Sequence, residues 1–423
     1  MLEAGRRAGG TVLSSTMADE TPARQGTTQA PPAAPAPSQA PTTPPVPGRR
    51  ATVTRWLGVA AMLYLLVCAI GVIGDGFNGL GAGTAENLFD FATNPIIGLF
   101  VGILVTAIIQ SSSTTTTLVV TAVGTGMMPV SVAIPMIMGA NVGTSVTNTL
   151  ASLGHVGDKA EFRRAFAAST VHDFFNLIAV AILLPLEMIF HPLERLSETL
   201  AGFAYGTVLP DPDNADVIGA VSSPVVDALG MQGALSVFGG GTASAVATIV
   251  LGVALIFLAV RYMGKLLQVL MVGKAKSVLE RTVGGNPLVA MGAGMGVTAV
   301  VQSSSVTTSM LVPFAGSGSL TTRQIYPLTL GANIGTTVTA LLAAFAVTGG
   351  DAQLALQAAF VHLLFNVVGI LVIYGLPFLR WLPVRCAEVL AAVATEHKTI
   401  AAAWVITVFL AIPAAGIFIH TLF

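Results

Sequence analysis

Two stretches of this 423-residue chain repeat each other. Displaced by 192 positions, Asn94-Pro95 falls on Asn286-Pro287, Gln110-Ser111-Ser112-Ser113 on Gln302-Ser303-Ser304-Ser305, and Gly139-Ala140-Asn141 on Gly331-Ala332-Asn333, with no gap. Pro135 meets Pro327, Gly143-Thr144 meets Gly335-Thr336, and Thr147 meets Thr339; after a two-residue shift His172 and Asn176 meet His362 and Asn366. Unrelated apolar segments share Leu, Ala and Gly by chance, not these polar positions, so the chain is built by duplication.

The duplicated unit belongs in a bilayer. Charged residues make up 9% of the chain and hydrophobic residues 54%, with mean hydropathy +0.81 and 45 glycines, against ~25% charge in a soluble domain. A water-soluble surface and a basic nucleic-acid-binding face are both excluded. Apolar segments at 56–73, 96–123, 132–153, 165–190, 242–263, 288–314, 325–347, 353–377 and 400–422 are helical by length and lack of alternation, so an all-α polytopic membrane protein is expected. Cys68 and Cys386 imply no disulfide framework or metal cluster.

Residues 1–52, with nine prolines between Pro22 and Pro47, are expected to form a disordered Pro/Ala-rich cytoplasmic tail. Arg6, Arg7, Arg24, Arg49, Arg50 and Arg55 precede the first span and place the N-terminus inside. The first transmembrane repeat is assigned to 53–190, an acidic extracellular connection to 191–241, the second repeat to 242–385, and an amphipathic segment with a final transmembrane helix to 386–423. Lys159, Arg163 and Arg164 follow the second segment of repeat one, whereas the equivalent stretch of repeat two holds Asp351 and no base. Opposite charge flanks predict an inverted repeat.

Each repeat opens with an apolar arm, Ile96–Ile109 or Leu288–Val301, that reaches about 21 Å as helix, short of the ~30 Å hydrocarbon core. A hydroxyl run follows each arm. Two re-entrant helical hairpins are predicted; the alternative, one full helix at each place, would invert the charge topology of the connections. Broken transmembrane helices are expected again at Gly139–Thr144 and Gly331–Thr336, where Gly and Asn would let the backbone unwind; close glycine packing is the alternative. Neutral hydroxyls, amides and helix N-termini suit a small oxyanion, and freed carbonyls suit a hard cation. Asp173 is the one acid well inside a span, and cation coordination is its expected role; a protonated or hydrogen-bonded acid beside His172 is the alternative. His172 and His362 suit structural hydrogen bonding, while Glu187 and Arg323 are read as interfacial.

QSSSTTTT at 110–117, IPMIMGANVGTSVTNT at 134–149, FRRAFAASTVHDFFN at 162–176, QSSSV at 302–306 and YPLTLGANIGTTVTALLAA at 326–344 resemble the type II sodium-dependent phosphate cotransporter family. The resemblance implies sodium influx driving uptake of inorganic phosphate by alternating access, with an elevator-like displacement and rocking as the alternative, and no enzymatic step or cofactor beyond sodium as coupling ion. It implies phosphate ligands at Gln110, Ser111, Ser112, Ser113, Ser303, Ser304 and Ser305. Sodium ligands are implied at Gln302, Ser303, Ser304, Thr336, Thr339, Asp173 and Asn176, supported by Asn141, Thr144, Thr147 and Asn333. Asp173 resembles the acid of electrogenic members, although the Ala-x-Ala preceding it there reads Ala167-Ala168-Ser169 here. A multi-pass protein of the plasma (inner) membrane is expected, with the lipid bilayer, phosphate and sodium as its partners and homodimer formation left open. The alternatives are a symporter of another oxyanion, such as arsenate or sulfate, and a phosphate receptor that moves nothing. A serine hydrolase would need a base beside the serines, and the sequence offers none.

Overall fold

The computed structural model describes residues 49–80, 93–207, 217–282, 284–347 and 351–422, which contain helices and turns but no strand. The predicted tail therefore lies outside the described residues up to position 48, as do Asp211, Asp213 and Asp216 of the acidic connection.

Helix α1 (Arg49–Leu80) begins inside the predicted tail and runs beyond the expected span. Its second half continues through glycines because they let it approach neighbours: a Cβ on Gly76 would meet the Ala245 carbonyl at 2.9 Å. Next come α2 (Pro95–Ile109), α3 (Ser112–Gly124), α4 (Val130–Thr144), α5 (Val146–Ser152) and α6 (Lys159–Phe190). The connection predicted at 191–241 contains α7 (Pro192–Thr207) and α8 (Val217–Leu229). Glu187, expected at the interface, is buried and caps α7 by accepting from the N–H groups of Leu193 (2.7 Å) and Glu194 (3.0 Å).

The second half consists of α9 (Gly241–Thr282), α10 (Pro287–Val301), α11 (Ser304–Ser309), α12 (Val312–Gly316), α13 (Thr322–Ala346) and α14 (Ala352–Ile373). An amphipathic helix, α15 (Leu382–Glu396), then packs on α6, and α16 (Lys398–Leu422) ends the described chain. Seven of the described helical stretches are long and apolar enough to cross a bilayer. Those around α4, α13 and α14 are the most buried, so the two repeats supply the centre of the molecule and α1, α9 and α16 its periphery.

The full-helix alternative fails at both hydroxyl runs. Asn94 accepts from the Ile96 N–H at 2.9 Å with proline next in line, a strong helix start. Helix α2 then stops at Gln110 in the left-handed region (φ 58°), and Ser111 restarts the chain as the N-cap of α3, accepting from the Thr114 N–H at 3.2 Å. Repeat two does the same through Asn286, Gln302 (φ 58°) and Ser303, whose cap takes the Val306 N–H at 3.3 Å. At 15 and 13 residues, α2 and α3 are each too short to span.

The predicted unwinding at the Gly-Ala-Asn elements is not found. Residues 139–144 lie in helix α4 and residues 331–336 in the uninterrupted α13. Their glycines serve close approach instead, as a Gly-xxx-Gly pair in each repeat. A Cβ on Gly139 would overlap the Leu99 carbonyl oxygen and one on Gly143 would stand 2.7 Å from the Ile103 carbonyl; Gly331 and Gly335 face Met291 and Met295 in the same way. Backbone thus lies against backbone between α2 and α4 and between α10 and α13.

Candidate substrate site

Both breaks open onto one cavity of about 200 Å³, lined by Gln110 to Thr114, Gln302 to Val306, and a stripe of α9. All seven residues expected to bind phosphate line it, together with Gln302. The hydroxyls of Ser112, Ser113, Ser304 and Ser305 have no hydrogen-bond partner among the described residues. The first N–H groups of each restarted segment are likewise unused by the helix. Hydroxyl and N–H donors are therefore presented together, as an oxyanion requires. The rest of the first run has a different use: Thr115 and Thr116 donate to the carbonyls of Ser111 (3.2 Å) and Ser112 (2.8 Å) and so serve the helix.

The glutamines are held from behind by the other half of each repeat. Thr147 donates to Gln110 Oε1 at 2.8 Å, and Thr339 donates to Gln302 Oε1 at 2.7 Å. The first pair is exposed, the second buried. Thr336 lies one turn before Thr339 and donates to the Ala332 carbonyl, and Thr144 donates to Ala140. Of the expected sodium ligands, Gln302, Ser303 and Ser304 thus line the cavity at the second break, Thr339 holds Gln302 from behind, and Thr336 bonds within its own helix.

Asp173 and Asn176 do not line the cavity. Asn176 joins a buried amide network that crosses between the repeats. It donates to the Asn141 carbonyl at 2.8 Å and accepts from Asn333 at 3.0 Å, while Asn141 Oδ1 meets Asn366 (3.2 Å) and His362 (3.3 Å). Asn141 and Asn333 are repeat mates, as are Asn176 and Asn366, so the same two positions pair across the repeats in both directions. His172 contacts Asn148 at 3.3 Å, and its Nε2, like Nδ1 of His362, is buried without a partner. Asp173 is fully buried: its Oδ2 accepts from Thr149 Oγ1 (3.2 Å) and Trp404 Nε1 (2.9 Å), and its Oδ1 has no partner. No base pairs with it among the described residues, and a buried carboxylate left so is costly. A cation at Oδ1 would remove that cost.

Sequence reasoning missed the wall of the cavity. Phe257, Val260, Arg261, Gly264, Lys265 and Gln268 form one face of α9 at helical spacing. Among the described residues, Arg261 and Lys265 are the only charged side chains lining the cavity, and neither is in an ion pair. Their phase was readable, but nothing local says which cavity that face meets. Trp404 was missed for the same reason, since it reaches Asp173 across 231 positions.

A family model described as Na+/Pi-cotransporter matches residues 65–207 and 255–379. Human sodium-dependent phosphate transport protein 2B is 33% identical, the alignment covering 85% of this chain and 64% of that protein. Sodium-dependent phosphate transport protein 2A of Rattus norvegicus is 35% identical, covering 85% and 67%. The chain thus spans about two thirds of the length of these relatives. No solved structure matches it. The matched segments take in both breaks and the α9 face between them, and on that ground this chain belongs to the Na+/Pi-cotransporter family, as its paired QSSS elements implied.

Proposed function

We propose that this protein is a secondary active transporter that couples sodium influx to uptake of inorganic phosphate by alternating access. One observation carries the reading: two equivalent Gln-Ser-Ser-Ser breaks, distant in sequence, present unpartnered hydroxyls to a single cavity. Phosphate is a tetrahedral anion with oxygens enough to meet both tips at once. Arg261 and Lys265 add positive charge at the wall without entering the tips, so the anion is attracted but not trapped in a permanent ion pair.

Sodium serves as counter-charge. Asp173 with its free Oδ1 supplies one site, and the group Gln302, Ser303, Ser304, Thr336 and Thr339 supplies neutral oxygens for another. Ser169 replaces the second Ala of the electrogenic pattern, but its hydroxyl bonds back to the Phe166 carbonyl at 2.9 Å and leaves the Asp173 surroundings apolar or hydroxylic. Electrogenic transport follows from an acid that does not carry its own counter-cation.

The two breaks are read as tips of re-entrant hairpins in an inverted repeat of the plasma membrane, with the N-terminus inside. Lys274, Lys276 and Arg281 then put the far end of α9 in the cytoplasm, and the cavity beside Arg261 and Lys265 belongs to an inward-facing arrangement. Purified protein in liposomes, given radiolabelled phosphate and an inward sodium gradient with current recorded together, tests the whole reading. Uptake indifferent to the gradient would sink it; saturable phosphate binding with no flux would favour a receptor.

A further inference from the structure

We propose that Trp404 is a positioning residue for the cation site at Asp173, so that the last helix takes part in sodium coupling. The inference rests on the reading of Asp173 as a sodium ligand. The indole Nε1–H donates to Asp173 Oδ2 at 2.9 Å, and Thr149 donates to the same oxygen at 3.2 Å. Both donors hold one carboxylate oxygen, and the other is left buried and unpartnered. A carboxylate restrained in this way offers one oxygen in a fixed direction, which is the preorganisation an ion site needs.

Trp404 is itself fixed. Its ring packs on Phe174, the neighbour of Asp173, with centroids 4.9 Å apart. One turn later, 407–411 is a π-helical widening, a feature that shifts the helical phase of the residues beyond it and that concentrates at functional sites. Past this widening, Gly416 seats against the ring of Phe100 on α2. One largely exposed helix therefore touches both the buried acid and the arm leading to the first break. The segments matched by the family model end at residue 379, before this helix. Repeat two has no counterpart, because Leu363 occupies the place of Asp173.

The test is binding of radioactive sodium to the purified full chain without phosphate. Trp404→Phe keeps a ring on Phe174 and removes the donor, so its sodium midpoint should weaken by about ten- to a hundredfold, the loss of one hydrogen bond to a charged group. Phe174→Leu removes the ring contact, keeps the donor, and should weaken binding less than Trp404→Phe does. Asp173→Asn should abolish the same component, and adding Trp404→Phe to it should change nothing more. A folded Trp404→Phe protein with the normal midpoint, alongside a defective Asp173→Asn, overturns the role of Trp404 alone. Normal binding in Asp173→Asn overturns the cation reading beneath it. If Trp404→Phe and Phe174→Leu weaken binding equally, packing is the cause and the proposal fails.

Discussion

Replacing Gly294 with alanine places one methyl against backbone that cannot swing aside. A Cβ there would overlap the Leu328 carbonyl oxygen, 3.0 Å from its carbon and 3.2 Å from the Ala332 nitrogen, all main-chain atoms of α13. Relief requires α10 and α13 to part by roughly an ångström, the gap between such contacts and ordinary van der Waals separation. Overpacking of this kind costs about 1–3 kcal/mol, against a gain of ~1 kcal/mol from the better helix propensity of alanine. The same two helices carry Gln302 and Thr339, whose 2.7 Å bond holds the second break. A shift of that size at a binding tip is worth on the order of tenfold or more in transport. Gly292 and Gly296 provide the control, because a Cβ at either meets nothing within 4 Å. Sodium-driven phosphate uptake and melting temperature in detergent should therefore fall for Gly294→Ala and hold or rise for Gly292→Ala and Gly296→Ala. If all three variants behave alike, the close-packing account of these glycines is wrong.

Converting Arg261 and Lys265 together to Gln should raise the phosphate half-saturation about three- to tenfold at low ionic strength and less at high, with the sodium midpoint at saturating phosphate unchanged. Uptake measured at two salt concentrations checks both parts. Thr339→Val strips a buried amide oxygen of its donor and should cost ~1–2 kcal/mol, read as a lower melting temperature and weaker uptake; its exposed repeat mate, Thr147→Val, should cost less than ~0.5 kcal/mol.

What could be read in the sequence was whatever recurs at short range. The short apolar arms and the hydroxyl runs that follow them placed both breaks, although the left-handed glutamines carry no local signal of their own. The Gly-Ala-Asn elements were misread because a glycine inside a span serves either an unwound backbone or a close one; the choice lies in a partner helix some forty positions earlier. Arg261 and Lys265 were not legible as site residues. Helical phase put them on one face, but the cavity opposite that face is made by two segments on either side of it in the chain. The amide network was half legible: the repeat paired Asn141 with Asn333 and Asn176 with Asn366, yet not the exchange by which each contacts the other's mate.

Duplication supplies two similar tips, and they differ in the contacts that lead away from them. Across the second break Thr298 donates to Thr307 at 2.8 Å, whereas the equivalent Thr106 hydroxyl has no partner; Gln302 is buried and Gln110 exposed. The second tip thus has a bond between its two arms that the first lacks, and from its returning arm a chain of side chains leads inward. Ser309 donates to Asn148 Oδ1 at 3.0 Å, and Asn148 Nδ2 contacts His172 Nδ1 at 3.3 Å, one residue before Asp173. Spatial continuity alone does not establish coupling; a change in one ligand's affinity caused by the other does. Asn148→Leu removes both links, so the factor by which sodium tightens phosphate binding should fall at least threefold while phosphate binding in sodium-free buffer stays near normal. Ser309→Ala, which cuts only the first link, should lower the same factor less. If a folded Asn148→Leu protein keeps the full factor, the two sites communicate by some other route, and this chain of contacts only fills space.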